Sequence, residues 1–385
     1  MKNRLALNMI VGGGDAAVLE RFFSSGNIKE CFDEVVIVNT TSDPDVRSVI
    51  EKYADKTIDF KWSTEEHPFG NFAAARNAAL DLTTSEYIQW NDADDIIAVE
   101  NPASVYGKIK EVLNTHGKDF YVCPYVLSID SDGNAVNVLE RERIFKRCPT
   151  IRWTKAIHEQ LTIDQAFHTH ANLTGFSILH SPVKAGAVGI NRNLNILKHE
   201  YFKANSQDRH ISFYYARDLS KNDKVEAAVP ILVDFINTFT GDLKNMYEAA
   251  CILARHYTYS FVNDSDETEL RVGTISLGER YIRIALAITE ENAEPLVIYG
   301  DICLANGKIE DSVKSYKMAM VKNIGTGNLQ NVKYYKEIPA RRLADVFLST
   351  ELYEQALWYN KVALDLCPGD EDLKAQRQKI IKGLK

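Results

Sequence analysis

The chain of 385 residues has the composition of a soluble globular protein, with 45% hydrophobic and 25% charged residues. Its formal net charge of -8 disfavours a general nucleic-acid binder, because such proteins cluster Lys and Arg against phosphates. No apolar run approaches the roughly 18 residues that a membrane span requires. The length predicts one very large domain or two ordinary ones.

The start of the chain and its cysteines predict a cytoplasmic protein. Residues 1–11 lead directly into a strand-like pattern, without the apolar stretch and cleavage site of a signal peptide. The six cysteines are scattered and form no CxxC pair. This spacing is typical of reduced thiols and not of a disulfide framework or a zinc site.

The first half of the chain alternates strand-like and helical patterns. We predict strands at residues 5–11, 34–38, 58–62 and 87–90, and helices at residues 17–23, 46–54 and 72–82. Such alternation predicts a mostly parallel sheet with helices on its faces. Ligands bind such sheets at the carboxyl ends of the strands, where this chain carries three polar groups. These groups are residues 12–15, 39–43 and 91–95.

The second half of the chain has a different texture. A turn signal at residues 130–133 predicts a hairpin of short strands, and helical patterns dominate from about residue 191. Residues 295–320 and 339–364 each contain a helix, a break and a second helix, and residues 212–235 are a weaker copy. They resemble tetratricopeptide-type repeats. We therefore predict one domain at 1–195 and an all-α repeat domain at 196–385.

An acidic cluster follows the fourth predicted strand. In Trp90-Asn91-Asp92-Ala93-Asp94-Asp95, two carboxylates frame one alanine at the end of an apolar run. Carboxylates there can bind Mg²⁺ or Mn²⁺, and such a cation can stabilise a departing diphosphate. A solvated turn or a helix N-terminus is the alternative, and we assign Asp95 to the start of the next helix.

A second phrase, NFAAARNAAL at residues 71–80, stands upstream of this cluster. The two phrases resemble F-x-x-A-R-N-x-A-L and W-x-D-A-D of family-2 glycosyltransferases, in the same order and at the same spacing. Residues 140–161, ERERIFKRCPTIRWTKAIHEQL, resemble a further family phrase, so the resemblance covers roughly residues 4–200. It implies an α/β, Rossmann-like GT-A domain with a mostly parallel central sheet that binds a nucleotide-sugar. Some family members join it to tetratricopeptide-like helices.

The resemblance also implies a reaction. An acceptor atom attacks the anomeric carbon of a nucleotide-bound hexose directly, with inversion, and Mn²⁺ or Mg²⁺ assists. We expect a UDP-sugar as donor. The sugar stays open, and so does the acceptor, which is a protein or peptide, a glycan or a modified DNA base. The helical domain favours a macromolecule as acceptor, and nucleic acid and a second copy of the chain stay open as partners.

The resemblance assigns residues to the metal and the diphosphate. It implies Asp94 as the direct metal ligand and places Asp92 at the metal or the ribose. His158 and His180 are two candidates to complete the metal site, each with a structural role as the alternative. Arg76 is expected near the nucleotide, with a structural salt bridge as its alternative.

Further roles follow from the same resemblance. Glu159 is the candidate general base, with support of its loop as the alternative. Backbone groups of Val11 and Gly12 are expected to form hydrogen bonds with the nucleobase. Asn39 stands where the family usually has Asp, so the negative charge of that position is absent here. Trp153 is expected to stack on a sugar or to belong to the core.

Two other functions compete with this interpretation. Residues 12–17 fit G-x-G-x-x-A after a strand, as in NAD-dependent oxidoreductases, but the acidic residue expected at the end of the second strand is replaced by Asn39. The other is an interaction protein that binds partners through its repeats and keeps an inactive GT-A domain.

Arg143 and Arg192 are weaker candidates for phosphate contacts.

Overall fold

The computed structural model describes residues 4–130, 133–164, 166–181, 187–205, 207–238, 241–259, 268–289, 291–324 and 330–384. Contacts divide the chain into two compact units, Met1–Asn205 and Ser206–Lys385. The predicted boundary after residue 195 falls inside a helix of the first unit, Ala187–Lys203.

The first unit combines a mixed sheet with flanking helices. Its strands are β1 (Leu5–Val11), β2 (Glu34–Asn39), β3 (Lys56–Asp59), β4 (Tyr87–Asp92), β5 (Asp95–Ile97), β6 (Phe120–Ile129), β7 (Ala135–Lys146), β8 (Trp153–Thr154), β9 (Gln160–Leu161), β10 (His170–Asn172) and β11 (Ile178–His180). Its helices are α1 (Ala16–Ser24), α2 (Pro44–Tyr53), α3 (Phe72–Leu82), α4 (Pro102–His116) and α5 (Ala187–Lys203), with a 3₁₀ turn at Ile28–Cys31.

The strand order explains where a ligand can bind. Strands follow one another as β3-β2-β1-β4-β7-β6-β11-β5, with β10 beside β6, while β8 and β9 form a separate ribbon. The β3-β2-β1-β4 half is parallel, and β7 runs antiparallel to β4 and β6. All seven residues of β1 are buried, as expected for a strand covered on both faces. The mostly parallel sheet and the β6–β7 hairpin are confirmed.

The third strand is displaced from its predicted position. It was expected at residues 58–62 but lies at Lys56–Asp59, and the chain leaves the sheet before Trp62. The strand is at the edge of the sheet and mostly exposed, and its paired residues are polar except for Ile58. The apolar signal came instead from Phe60 and Trp62, which pack against a hydrophobic cluster beside α3.

The second unit is helical and tetratricopeptide-like. Its helices are α6 (Arg209–Lys221), α7 (Val225–Asn237), α8 (Leu243–Tyr259), α9 (Thr268–Ile288), α10 (Ala293–Ala305), α11 (Ile309–Met320), α12 (Glu337–Ser349), α13 (Tyr353–Leu366) and α14 (Glu371–Gly383). A two-residue strand, β12 (Gln330–Asn331), and a 3₁₀ turn, Val332–Tyr335, precede α12.

Successive helices of this unit pack in pairs. The pairs α6–α7, α10–α11 and α12–α13 coincide with the three predicted copies, and α8–α9 is a further pair that the sequence pattern did not indicate. At Gly300 of α10 a Cβ atom would lie 2.4 Å from the ring of Tyr316 in α11, so the glycine permits a close approach of the two helices. Among the described residues, every helix is too short or too polar for a membrane span.

Candidate active site

A cavity of about 520 Å³ lies at the carboxyl ends of β1, β2 and β4. This is the edge of the sheet at which ligands bind in open α/β folds. Most of the predicted site residues line the cavity, namely Val11, Gly12, Arg76, Asp92, Asp94, His158, Glu159 and His180.

Helix α3 carries Arg76 to this cavity. The helix begins after Asn71, whose side chain accepts a hydrogen bond from the Ala74 N–H at 2.9 Å. Ala75 and Ala79 are buried, and such small side chains allow a close approach to the sheet. The result is a side chain that is only 6% exposed although it carries a permanent charge.

The Arg76 guanidinium joins two carboxylates. Its Nε donates to Glu159 Oε1 at 2.5 Å, and its Nη2 donates to Asp92 Oδ1 at 2.6 Å. The guanidinium also lies 4.5 Å from the centre of the Trp90 ring. Burial would raise the pKa of Asp92, but Arg76, with help from Arg143, lowers that pKa to about 2. Asp92 is therefore an ionised carboxylate held by an arginine.

Asp94 and His180 form a more open pair beside it. Their side chains are 30% and 31% exposed, and His180 Nδ1 lies 3.5 Å from Asp94 Oδ1. The nearby Asp94 carboxylate raises the pKa of His180. The backbone brings them together, because β11 pairs with β5 and the Ser181 N–H donates to the Asp94 carbonyl at 2.9 Å. Arg21 adds a hydrogen bond to the Ser181 carbonyl at 2.5 Å.

Asp95 belongs to the same cluster but has a different environment. Ligand atoms of Asp94, Asp95 and His180 all lie within 4.8 Å of one another, which is close enough to hold a metal ion. Asp95, however, is fully buried, and its oxygens accept hydrogen bonds from the Tyr125 hydroxyl, the Asp92 N–H and Arg143 Nη1 at 2.9, 3.0 and 3.1 Å. Asp94 and His180 are thus the members of the cluster that offer ligand atoms to the cavity.

Residues 16–181 match the family model described as Glycosyl transferase family 2. They form a family 2 glycosyltransferase domain. This assignment replaces the oxidoreductase interpretation of residues 12–17.

Two curated relatives of the glycosyltransferase domain are similar to this chain. They are the SPbeta prophage-derived glycosyltransferase SunS of Bacillus subtilis (strain 168) and glycosyltransferase SunS of Bacillus phage SPbeta. Each is 24% identical over 238 residues, which cover 59% of this chain and 53% of the relative. The chain therefore spans about half the length of the curated relatives it matches.

Solved structures give looser matches. Residues 1–349 of S. aureus TarS are 12% identical with a TM-score of 0.34, covering 82% of this chain and 90% of that one. A thermophilic TPR protein of Thermus thermophilus is 20% identical with a TM-score of 0.35, covering 51% of this chain and 92% of that one.

Two predicted residues of the glycosyltransferase domain lie outside the cavity. Trp153 is 3% exposed and packs edge-on against Trp90, with ring centres 5.0 Å apart, so it has the core role. Asn39 is also buried, and its amide nitrogen donates to Asp59 Oδ1 at 2.8 Å. Its neighbour Thr40 lines the cavity instead.

Two further expectations were wrong. Asp95 begins strand β5 and not a helix, and its carboxylate is occupied by partners within the sheet. Arg143 does not reach a phosphate site. It is fully buried with its guanidinium 3.9 Å from the Trp90 ring centre and 4.0 Å from that of Tyr125. Arg192, the other weak candidate, does line the cavity.

The loop that carries His158 and Glu159 has an unusual backbone. Lys155 and His158 have φ angles of 70° and 50°, in the left-handed region that non-glycine residues seldom adopt. Buried Ala156 and Ile157 lie between them, and the Ala156 carbonyl accepts a hydrogen bond from the Phe72 N–H at 2.8 Å. Such conformations cost about 1–3 kcal/mol each and often occur at functional sites.

Sequence reasoning missed Trp62, and it placed Asp15 at the ligand-binding strand ends only as part of residues 12–15, without a role of its own. Asp15 accepts a hydrogen bond from the Gly12 N–H at 2.7 Å, and burial raises the pKa of its carboxyl group. The glycine-rich turn before Asp15 was a usable signal for its position. Trp62 carried no such signal, because its apolar ring fitted a strand pattern equally well.

Proposed function

We propose that the chain is an inverting, metal-dependent glycosyltransferase that moves a hexose from a nucleotide donor, a UDP-sugar, to an acceptor. The observation that carries the proposal is the joint presence of Asp94, His180, the Arg76-paired Asp92 and Glu159 around one cavity of a family 2 glycosyltransferase domain.

The donor atoms fit a divalent cation. Asp94 supplies carboxylate oxygens and His180 an imidazole nitrogen, a set that suits Mn²⁺ better than Mg²⁺, which prefers oxygen. His180 Nδ1 lies 3.5 Å from Asp94 Oδ1, so the two atoms are close enough to share one cation. A bound cation would neutralise charge that develops on the departing diphosphate.

Glu159 is the proposed general base. In the reaction, an acceptor O–H or N–H attacks the anomeric carbon, the bond from that carbon to the diphosphate oxygen breaks, and the acceptor proton passes to Glu159. The ion pair with Arg76 fixes the position of the carboxylate at the cavity wall. A general base that is already in position before the reaction lowers the entropic cost of the proton transfer.

The acceptor is proposed to be a macromolecule, and the location cytoplasmic. Stacked helical pairs such as α10–α11 and α12–α13 offer extended surfaces for polymer segments. All six cysteines are free thiols, which supports a reducing compartment. An inactive glycosyltransferase domain that only binds partners remains the competing function.

The test is a panel of nucleotide-sugars and nucleoside diphosphates, each with Mn²⁺ and with a chelator. We expect one nucleoside diphosphate to raise the thermal unfolding temperature only when metal is present, and its sugar conjugate to be slowly hydrolysed. Binding without hydrolysis, even with candidate acceptors, would support the inactive domain. Failure of every nucleotide to bind would contradict the proposal.

A further inference from the structure

We propose that Trp62 is the platform on which the nucleobase of the donor stacks. The inference rests on the proposed function, since it names the part of a nucleotide donor that this side chain contacts. Trp62 follows the end of β3 by three residues and is half-buried. It lines the same cavity as Asp94.

The indole is held in a fixed position. It meets the Phe72 ring edge-on, with centroids 4.8 Å apart and an interplanar angle of 79°. It also packs directly over Gly70, where an added Cβ atom would lie 2.0 Å from Trp62 Cε2. Gly70 has a φ of +109°, which side-chain-bearing residues rarely adopt, so both the backbone and the packing require glycine here.

The loop that carries Trp62 is anchored to α5. His67 Nδ1 lies 2.9 Å from Glu200 Oε1, and Lys203 Nζ donates to Glu66 Oε1 at 2.8 Å. Helix α5 also supplies Arg192 to the cavity. A side chain with such support can bind a flat ligand without a large loss of its own conformational freedom.

The sheet order favours a base over a sugar as the stacked group. Asp92 and Asp94, which would receive the diphosphate with its cation, lie at the end of β4. Trp62 follows β3, which is three strands away in the order β3-β2-β1-β4. At about 4.8 Å per strand, the ends of β3 and β4 are about 14 Å apart. In a nucleotide-sugar the base and the sugar lie on opposite sides of the diphosphate. A base directed toward β2 and β3 is therefore directed toward the segment that carries Trp62 into the cavity, and the sugar lies on the other side of the diphosphate.

Stacking on an aromatic ring accepts every base, because each base has a π face. Trp62 therefore contributes affinity for nucleotides in general. The choice among bases depends on polar groups such as Thr40 and the backbone of Val11, which line the cavity near the ends of β2 and β1.

The experiment compares UDP with inorganic pyrophosphate, each titrated with Mn²⁺ into the full chain by calorimetry. We expect Trp62→Ala to weaken UDP binding about 10- to 100-fold and to leave pyrophosphate binding unchanged, because only UDP has a base. Trp62→Phe should keep affinity within about threefold, since a smaller ring still stacks. Gly70→Ala should resemble Trp62→Ala, and Trp358→Ala, an exposed tryptophan of the second unit, should resemble the parent chain.

The outcomes separate this inference from the proposed function. Unchanged UDP affinity in Trp62→Ala would overturn the stacking role while the parent chain still binds nucleotides. An equal loss for UDP and pyrophosphate would also overturn it, because the residue would then act on the shape of the whole cavity. A parent chain that binds no nucleoside diphosphate would overturn both.

Discussion

In the parallel half of the sheet, acidic side chains lie at the amino ends and at the carboxyl ends of the strands, but in different environments. At the amino ends, Glu34 is 3% exposed. Its carboxylate accepts hydrogen bonds from Thr84 and Ser85 and forms an ion pair with Lys56. At the carboxyl edge, Asp94 faces the cavity beside His180. A carboxylate whose oxygens are all occupied stabilises the fold, whereas one that faces a cavity is available to a ligand.

Asp95 tests this comparison most severely, because it lies at the ligand edge but has the saturated environment of Glu34. Replacing Asp95 by Asn would remove the carboxylate that is ion-paired with the buried Arg143 guanidinium. Removing one partner of a buried ion pair typically costs about 3–5 kcal/mol. We expect Asp95→Asn to lose that much free energy of unfolding, measured by urea denaturation followed by tryptophan fluorescence. Unaltered stability would contradict the structural role of Asp95 as the partner of Arg143.

The difference between Asp94 and Asp95 also shows what the sequence could and could not predict. The phrases around Arg76 and Asp92 identified the glycosyltransferase domain, the α/β sheet and most of the cavity wall. The role of Asp95 depended on Tyr125 and Arg143, which are 30 and 48 residues away and which a local pattern does not connect to it.

Aromatic residues were the other source of error. Trp153 and Trp62 both stand in apolar contexts, and the sequence alone does not reveal which ring faces a cavity. The answer came from Gly70, whose lack of a side chain leaves room for the Trp62 indole, and from the core position of Trp90 against Trp153. Edge position and packing partners are tertiary properties, so hydrophobic periodicity did not resolve them.

Glu34 provides the second test, through the pH dependence of stability. Burial would raise its pKa, but Lys56, Ser85 and Thr84 lower that pKa from 4.5 to about 2. A depressed pKa in the folded state stabilises the chain above the unfolded value, and this contribution disappears as pH falls from about 4.5 toward 2. The shift corresponds to about 3 kcal/mol. Glu34→Gln should therefore be less stable than the parent chain near neutral pH, with a difference that shrinks in acid.

Urea unfolding at several pH values measures this difference. Glu20→Gln is the matched control, because Glu20 also pairs with a lysine, Lys52, but on the exposed surface, where ion pairs contribute little. A loss in Glu34→Gln that does not change with pH would mean that shape and hydrogen bonding, and not charge, explain the role of Glu34.

Asp94→Asn is the smallest change in free energy and the one that decides the function. The amide keeps the shape of the side chain but removes the charge that faces the cavity, so stability should stay near that of the parent chain. Loss of one electrostatic stabiliser of a transition state typically slows catalysis about 100-fold or more. We expect that loss in metal-dependent release of nucleoside diphosphate, partly relieved by excess Mn²⁺ because the affinity for metal also falls. If Asp94→Asn instead unfolds like Asp95→Asn and binds Mn²⁺ normally, then both carboxylates are structural. The distinction between the saturated and the cavity-facing acid would then not identify the ligand site.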